Sequence, residues 1–575
     1  MSRFAKRTQR IGVIDNFLPD VSNPYGFLRN PDGLPWVRPS GWLSTTPVAA
    51  TEICFLYAVY EGDSNFLSFS ATTSSGNFTV DWGDGTNNTY ASNATVLKQF
   101  LWTSYSNVTT QGYRQAVVRI TGNITAVNFN LRHTTLTQAG TSSQILEMSA
   151  QGSSITSFTL ASSILLVTHS ALQNFSFIGT CSITNTNNMF RGCASLQSVS
   201  LPNTSLVTNM SSMFINCVAL QSVSLPTTSS VNDMSAMFTG CVSLQSVSIP
   251  NTSAVLNMNA MFTGCIALRF VSLLTTSAVT NMSFMFSGCS SLQSVSIPNT
   301  PAVTNMGSMF TNCVSLQSVS LFNTPLVNSM SSMFNNCTNL QSVSIPNTPS
   351  LLNMTGMFTF CTTLRSVSLP NTPLANNMLN LFSSCTSLQS VYLPTTSAVT
   401  SMSGMFNNCR SLQSVSLAST SAVTDMSAMF SGCSSLQSVS LPTTSSVLNM
   451  SNMFNNCTSL KSVSLPTTSG ATNMSNMFAN CPSLQSVSGL NGTSTTSSTS
   501  LSGIFSSCPS LQSISATNMK WTHAINSLKL DATRLNAYYT ALPTVTSQTL
   551  TVTGNWGTAT DNPAIATAKG WAVTG

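Results

Sequence analysis

Residues 209–232 read NMSSMFINCVALQSVSLPTTSSVN, and the same phrase returns with substitutions along most of the chain. Fourteen of the sixteen cysteines mark it: Cys193, Cys217, Cys241, Cys265, Cys289, Cys313, Cys337, Cys361, Cys385, Cys409, Cys433, Cys457, Cys481 and Cys508. Every step is 24 residues except the last, which is 27. So constant a period means that one unit is stacked many times, and 575 residues do not divide into ordinary domains.

Within the phrase, Leu220-Gln221-Ser222-Val223-Ser224-Leu225 alternates: Val223 and Leu225 fall on one face, Ser222 and Ser224 on the other. That is a short, half-buried strand, and stacking predicts one parallel sheet of fourteen strands. Met210, Met213, Phe214 and Cys217 stand at i, i+3, i+4 and i+7, the spacing of a helical face one to two turns long. A period of 20 to 29 residues with an L-x-x-V-x-L core is the grammar of a leucine-rich-repeat solenoid. The expected fold is therefore mainly β: a leucine-rich-repeat solenoid of 24-residue coils, with a parallel sheet and short helical turns.

Composition narrows the function. The chain has 19 Lys+Arg and 13 Asp+Glu, 6% charged, far below the roughly 25% of soluble domains. Ser, Thr and Asn must supply most of the surface. A net charge of +6 with scattered basic residues speaks against nucleic acid as a partner. No stretch reaches the roughly 18 apolar residues of a membrane span. The start, MSRFAKRTQRIGVIDNF, has no apolar run after its basic residues, so neither a signal peptide nor membrane insertion is expected.

Each repeat cysteine stands alone in its coil, which favours a small buried hydrophobe over a zinc ligand, with cross-coil chemistry as the alternative. Asn209, Asn257, Asn281, Asn305, Asn353, Asn377, Asn449 and Asn473 form a column whose side chains are expected to satisfy backbone groups at a turn. Thr228, Thr252, Thr276 and Thr300 form another such line. A second period is superimposed: Arg269, Arg365 and Lys461 replace the usual Gln at intervals of 96 residues, four coils. Charge at that position implies that it faces solvent, so the three cations should stand in a row about 19 Å apart on the sheet side.

Residues 1–40, rich in Pro, Asn and Gly and carrying Arg3, Lys6, Arg7 and Arg10, read as an extended docking arm. Residues 41–135 alternate like the strands of a small β-sandwich. In it, Asp81-Trp82-Gly83-Asp84-Gly85 places two carboxylates on a glycine turn, an Asx-type turn or a weak cation site. Residues 136–180 look like degenerate capping coils, 181–515 are the solenoid, and 516–575 form an α/β cap with a helix near Asp531–Leu542.

The phrase M-x-x-M-F-x-x-C-x-x-L with its V-S-L-P strand resembles BspA-type leucine-rich repeats over residues 181–515. Such repeats occur in bacterial surface proteins and in some phage-encoded proteins. RPSGWLSTTP (38–47), YEGDSNFLSFS (60–70), VDWGDGT (80–86), QGYRQAVVRIT (111–121) and the C-terminal LTVTGNWGTATDNPAIATAKGWAVTG resemble proteins carried by tailed phages, and VDWGDG is similar to PKD-like domains. The resemblance implies attachment or display. Cell-surface members of the family carry an export signal and often an anchor, and neither is read here.

The expectation that follows is a phage virion structural protein, a fibre or surface-decoration component at the virion surface, made in the host cytoplasm. It is expected to be a homo-oligomer that docks on other virion proteins through the arm. The sheet face, with Gln221, Ser222, Ser224, Arg269, Arg365 and Lys461, is the expected binding face for a host glycan or protein. No catalytic residue, metal or cofactor is expected. The alternatives are a bacterial-type adhesin without its own anchor, an ice-binding solenoid, and a virion glycan-degrading enzyme. The enzyme would need paired carboxylates roughly 5 to 10 Å apart; the acids of the regular repeats, Asp233 and Asp425, are eight coils apart, about 38 Å, and His133, His169 and His523 are dispersed.

Overall fold

The computed structural model describes residues 36–575 apart from 63–64, 107, 136–140, 162–166, 202–204, 226–227, 250–251, 272–275, 298, 322–323, 370–371, 394–396, 418–420, 442–443, 467 and 492–499. The expected docking cations Arg3, Lys6, Arg7 and Arg10 lie outside the described residues. The chain forms two compact units, Met1–Val37 and Arg38–Gly575. Of the first, Trp36 and Val37 are described, and Val37 is exposed.

The second unit begins with two sheets. In one, Glu52–Val59 pairs antiparallel with Arg114–Thr121 on one side and with Ile145–Gln151 on the other, and Phe78–Asp81 and Asn87–Tyr90 extend it. The other has the order Ser157–Thr159, Ile124–Asn128, Phe66–Thr73, Thr95–Gln99. Phe55, Tyr57, Phe69, Trp82, Phe100 and Phe129 are among the buried residues of their core.

All eight residues of Glu52–Val59 are buried, which a sheet wetted on one face would not give. The chain before it explains this. Leu43 bonds Gln115 on one neighbouring strand, and Thr45 bonds Glu147 and Ser149 on the other, so residues 43–45 cross the outer face of the central strand. Arg38 fixes the crossing by pairing with the buried Glu147 at 2.8 Å across 109 residues of sequence.

Ile145–Gln151 also pairs in parallel with Asn174–Ile178, which pairs in parallel with Ser198–Ser200. The sheet of the N-terminal region thus continues into the first coils, and one buried core runs from Ile53 to Trp571.

Most regular coils contribute a strand of three residues, usually Ser-Val-Ser, with Val inside and Ser outside. Partners are in register, Val223 opposite Val247 and Val319 opposite Val343. Among the described residues these strands pair in parallel in runs of two or three, and single bridges from Ser416 through Ser440 to Ser464 carry the row onward. Three residues bring few ladder bonds per coil, so the sheet is only part of the coil-to-coil contact. A second parallel contact runs along the Asn column, from Asn185 through Asn209, Asp233 and Asn257 to Ser500.

The M-x-x-M-F-x-x-C segment forms consecutive tight turns rather than an α-helix. Alternate N–H groups, those of Met210, Ser212, Phe214 and Asn216, donate to Asp233, Ser235, Met237 and Thr239 of the next coil. Those between bond three residues back, as Met213 to Met210 and Cys217 to Phe214. Ser212 and Asn216 are left-handed, both with φ of 59°, and so are their equivalents in later coils. An α-helix would satisfy these groups within the segment; here the neighbouring coil does so.

The turns bring the phenylalanines into one column. From Phe190 to Phe505, successive ring centroids are 5.3–5.7 Å apart with planes within 9° of parallel. Since coils rise about 4.8 Å, the rings are offset, the arrangement aromatic quadrupoles favour.

Beside the rings runs a column of thiols. Cys217 Sγ donates to the Phe190 carbonyl at 3.1 Å, Cys241 to Phe214 at 3.1 Å, and so on to Cys508 and Phe478 at 2.9 Å. A buried cysteine is thus a small hydrophobe that also supplies a weak donor to a carbonyl. Burial pushes the thiols of Cys241, Cys289, Cys337 and Cys433 up to about 12.

None of the sixteen cysteines is in a disulfide, and Cys181 alone is less than fully buried. Alkylation of the native chain is therefore expected at Cys181 first. Because burial raises the Cys181 thiol too, its rate should climb steeply as pH rises above 8, while the column stays unmodified until the coils open. Mass spectrometry of the labelled chain checks this, and early labelling of Cys313 would show the column is accessible.

The C-terminal cap is a parallel sheet of His523–Ala524, Gln548–Thr551 and Trp571–Thr574. The helix Ala532–Ala541 starts at Asp531, whose carboxylate accepts the Arg534 N–H at 2.9 Å, as the sequence predicts. It ends where Lys569 Nζ bonds the Thr540 and Leu542 carbonyls at 2.6 and 2.8 Å. No helix among the described residues is long and apolar enough to cross a membrane.

Candidate functional site

The strand row presents a regular polar face. Ser222 and Ser224 are exposed and Gln221 is half-buried; in later coils the serines repeat the pattern, and Gln245, Gln293 and Gln317 are exposed as well. The side chains are held in register because the inward Val between each pair of serines is fixed by the core and by the parallel partner.

Arg269, Arg365 and Lys461 are all exposed on this row, as the sequence predicts. Among the described residues none of the three is in an ion pair. The two acids of the regular repeats lie in the other column: Asp233 and Asp425 each accept the N–H two residues on, at 2.9 Å, as the asparagines do. In this column it is the side-chain oxygen that works, which is why Asp can replace Asn. The strand row itself, from Gln197-Ser198-Val199-Ser200 to Gln512-Ser513-Ile514-Ser515, contains no carboxylate in any coil.

Two further residues belong to this face and were missed in the sequence reading. Phe270 and Tyr392 take the places of strand serines and are 62% and 65% exposed. Tyr392 lies opposite Ser368 in the ladder. Their signal was present, since each is an aromatic residue at a position whose alternation puts it in solvent.

The Thr line is buried: Thr228 and Thr252 are 0% exposed, and Thr276 and Thr300 are each 1% exposed. An ice-facing array cannot use that line.

Asp81 and Asp84 serve their own hairpin. Asp81 accepts the Gly83 N–H at 2.9 Å, an Asx turn, and Asp84 accepts the Thr86 N–H at 3.0 Å and pairs with Lys98 at 3.3 Å. Burial opposes ionisation of Asp84, but the Thr86 bonds and the Lys98 charge together hold it below its ordinary range. Gly83 is required here, because its φ is 71° and a Cβ would lie 2.6 Å from the Val117 carbonyl oxygen.

The histidines are separate and structural in setting. His523 is held between the Trp521 carbonyl and the Tyr538 hydroxyl, and His169 faces the Ser143 hydroxyl; burial lowers each to about 4. His133 accepts the Thr135 N–H at 3.2 Å. Among the described residues no group of three or more His, Cys, Asp or Glu is arranged to hold a metal ion.

The family model described as Mycoplasma protein of unknown function, DUF285, matches residues 163–270, 269–371, 376–488 and 435–542. No curated protein matches the sequence. Among solved structures, the chain is similar to one from the Drosophila Toll–Spatzle complex at 13% identity, covering 68% of this chain and 48% of that one, with a TM-score of 0.24. It is similar to a chain of the mouse RP105/MD-1 complex at 14% identity, covering 70% and 68%, with a TM-score of 0.20. The chain spans about half the length of the Toll–Spatzle chain it matches. At such scores these likenesses carry no argument about function.

Proposed function

The chain belongs to the family described as Mycoplasma protein of unknown function, DUF285, and from that premise we propose that it is a non-catalytic repeat protein for binding or adhesion. The observation that carries the reading is the strand row: a long, registered, polar face with exposed cations and no carboxylate. A stacked solenoid offers such a surface as many equivalent weak sites, which gain strength by multivalency rather than by one deep pocket.

The finer part of the proposal is the setting. The phrases outside the repeats that resemble proteins of tailed phages support a virion protein, with a PKD-like N-terminal region, that docks through residues 1–40 and displays the repeats. Homo-oligomerisation and docking by Arg3, Lys6, Arg7 and Arg10 belong to this proposal, as does a position at the virion surface.

Two measurements test it. The full-length chain should bind intact bacterial cells saturably and leave their surface polysaccharide uncleaved. Failure to bind, or release of oligosaccharides, overturns the adhesion reading. Purified particles should contain the chain at a fixed copy number that falls when residues 1–40 are deleted. Absence from particles, or a normal copy number after the deletion, overturns the virion setting or the docking role respectively.

A further inference from the structure

We infer that the strand face is a docking site for a linear anionic polysaccharide, with Arg269, Arg365 and Lys461 meeting its carboxylates and Phe270 and Tyr392 stacking on its sugar rings. The inference rests on the adhesion reading and names the class of ligand.

Charge complementarity commits the occupant. The row carries three exposed cations, no acid in any coil, and otherwise serine and glutamine. The cations recur every 96 residues, which at the strand spacing is about 19 Å. That exceeds the Debye length of about 8 Å at physiological salt, so each cation acts on its own and their effects multiply.

A ligand that satisfies two of them must extend for about 20 Å and carry anionic groups along that length. Duplex nucleic acid, with a charge about every 1.7 Å, would leave nearly all its phosphates unpaired on this face. A polyuronate suits it, because its charges are more widely spaced than those of a duplex and its hydroxyls can pair with Ser and Gln between the cations.

The aromatic residues point the same way. Exposure of more than 60% for Phe270 and Tyr392 leaves ring faces in water, and the negative face of an aromatic ring attracts the C–H groups of a sugar. Phe270 adjoins Arg269, and Tyr392 lies one coil beyond Arg365. Each cation–aromatic pair therefore combines an anion contact with a stacking platform, and the two pairs are about 19 to 24 Å apart by the coil spacing.

The test uses the full-length chain and variants that restore the common residues of each column, so that folding is preserved: Arg269→Gln, Arg365→Gln and Lys461→Gln together, and Phe270→Ser with Tyr392→Ser. Titration calorimetry would compare a polyuronate (alginate), a neutral glucan (dextran) and a polynucleotide (poly-dT). Alginate should bind, weaken with added salt, and bind about tenfold more weakly to the triple cation variant, the combined effect expected of three exposed ion pairs. The aromatic variant should weaken alginate without changing the salt dependence.

Equal binding of dextran, tighter binding of poly-dT, or no change in either variant overturns the inference. So does cell binding without any alginate binding, a result that leaves the adhesion reading standing. Loss of both cell and alginate binding in the unmodified chain overturns both. Unchanged far-ultraviolet circular dichroism of the variants shows that any loss is not unfolding.

Discussion

Replacing Phe310 with alanine is expected to destabilise one coil interface by about 3 to 5 kcal/mol and to leave distant coils as they were. The ring stacks on Phe286 and Phe334 at 5.5 Å on each side, and its residue is fully buried. Alanine would open one ring-sized gap and end both stacking contacts, in a column where no other side chain can shift in because each neighbour is fixed by its own coil.

The backbone there is tied to the next coil through the Phe310 N–H to Met333 and through Cys337 Sγ to the Phe310 carbonyl at 3.1 Å, so the coil is not free to collapse. In a one-dimensional stack the loss stays with nearest neighbours. Hydrogen exchange should accelerate over the coils around residues 281–340 and remain slow in Glu52–Val59 and in the cap. Uniform acceleration from end to end would mean that the coils unfold together.

Gly489→Ala is expected to cost about 2 to 5 kcal/mol, combining a left-handed residue at roughly 1 to 2 with overpacking at roughly 1 to 3. Gly489 has φ of 81°, and a Cβ there would lie 1.8 Å from the Leu465 carbonyl oxygen. The residue sits where the register of Ser486–Asn491 against Ser513–Thr517 shifts between Val487 and Leu490. It is a bulge that lets the last long strands leave the solenoid for the cap.

Gly264→Ala is the control: its φ is 73°, yet its Cβ would meet only the Gly240 backbone at 3.8 Å. Denaturant unfolding should show Gly489→Ala several times more damaging, with the cap released first to limited proteolysis. Equal effects of the two would mean that the left-handed conformation, and not the close approach, sets the cost.

Much of this was legible in the chain itself. The 24-residue step, the inward Val223 and outward Ser222 and Ser224, the exposure of Arg269, Arg365 and Lys461, the Asx turn at Asp81 and the cap helix at Asp531 all follow from local pattern and local hydrogen bonding. Phe270 and Tyr392 are legible by the same alternation, each an aromatic residue at an outward strand position.

What the sequence left open depends on partners remote along the chain. Met210, Met213, Phe214 and Cys217 have helical spacing, but whether their N–H groups bond within the segment or across to the next coil is decided only when a second copy of the phrase lies alongside. The turns win because alternate left-handed residues such as Ser212 and Asn216 aim every other N–H at that neighbour. The same holds for the Phe190–Phe505 column, for the thiols from Cys217 to Cys481, each on a carbonyl 27 residues earlier, and for Arg38 on Glu147. Composition and period determined that the coils stack; the packed neighbour determined how each coil closes, because the groups that close it are satisfied only by that neighbour.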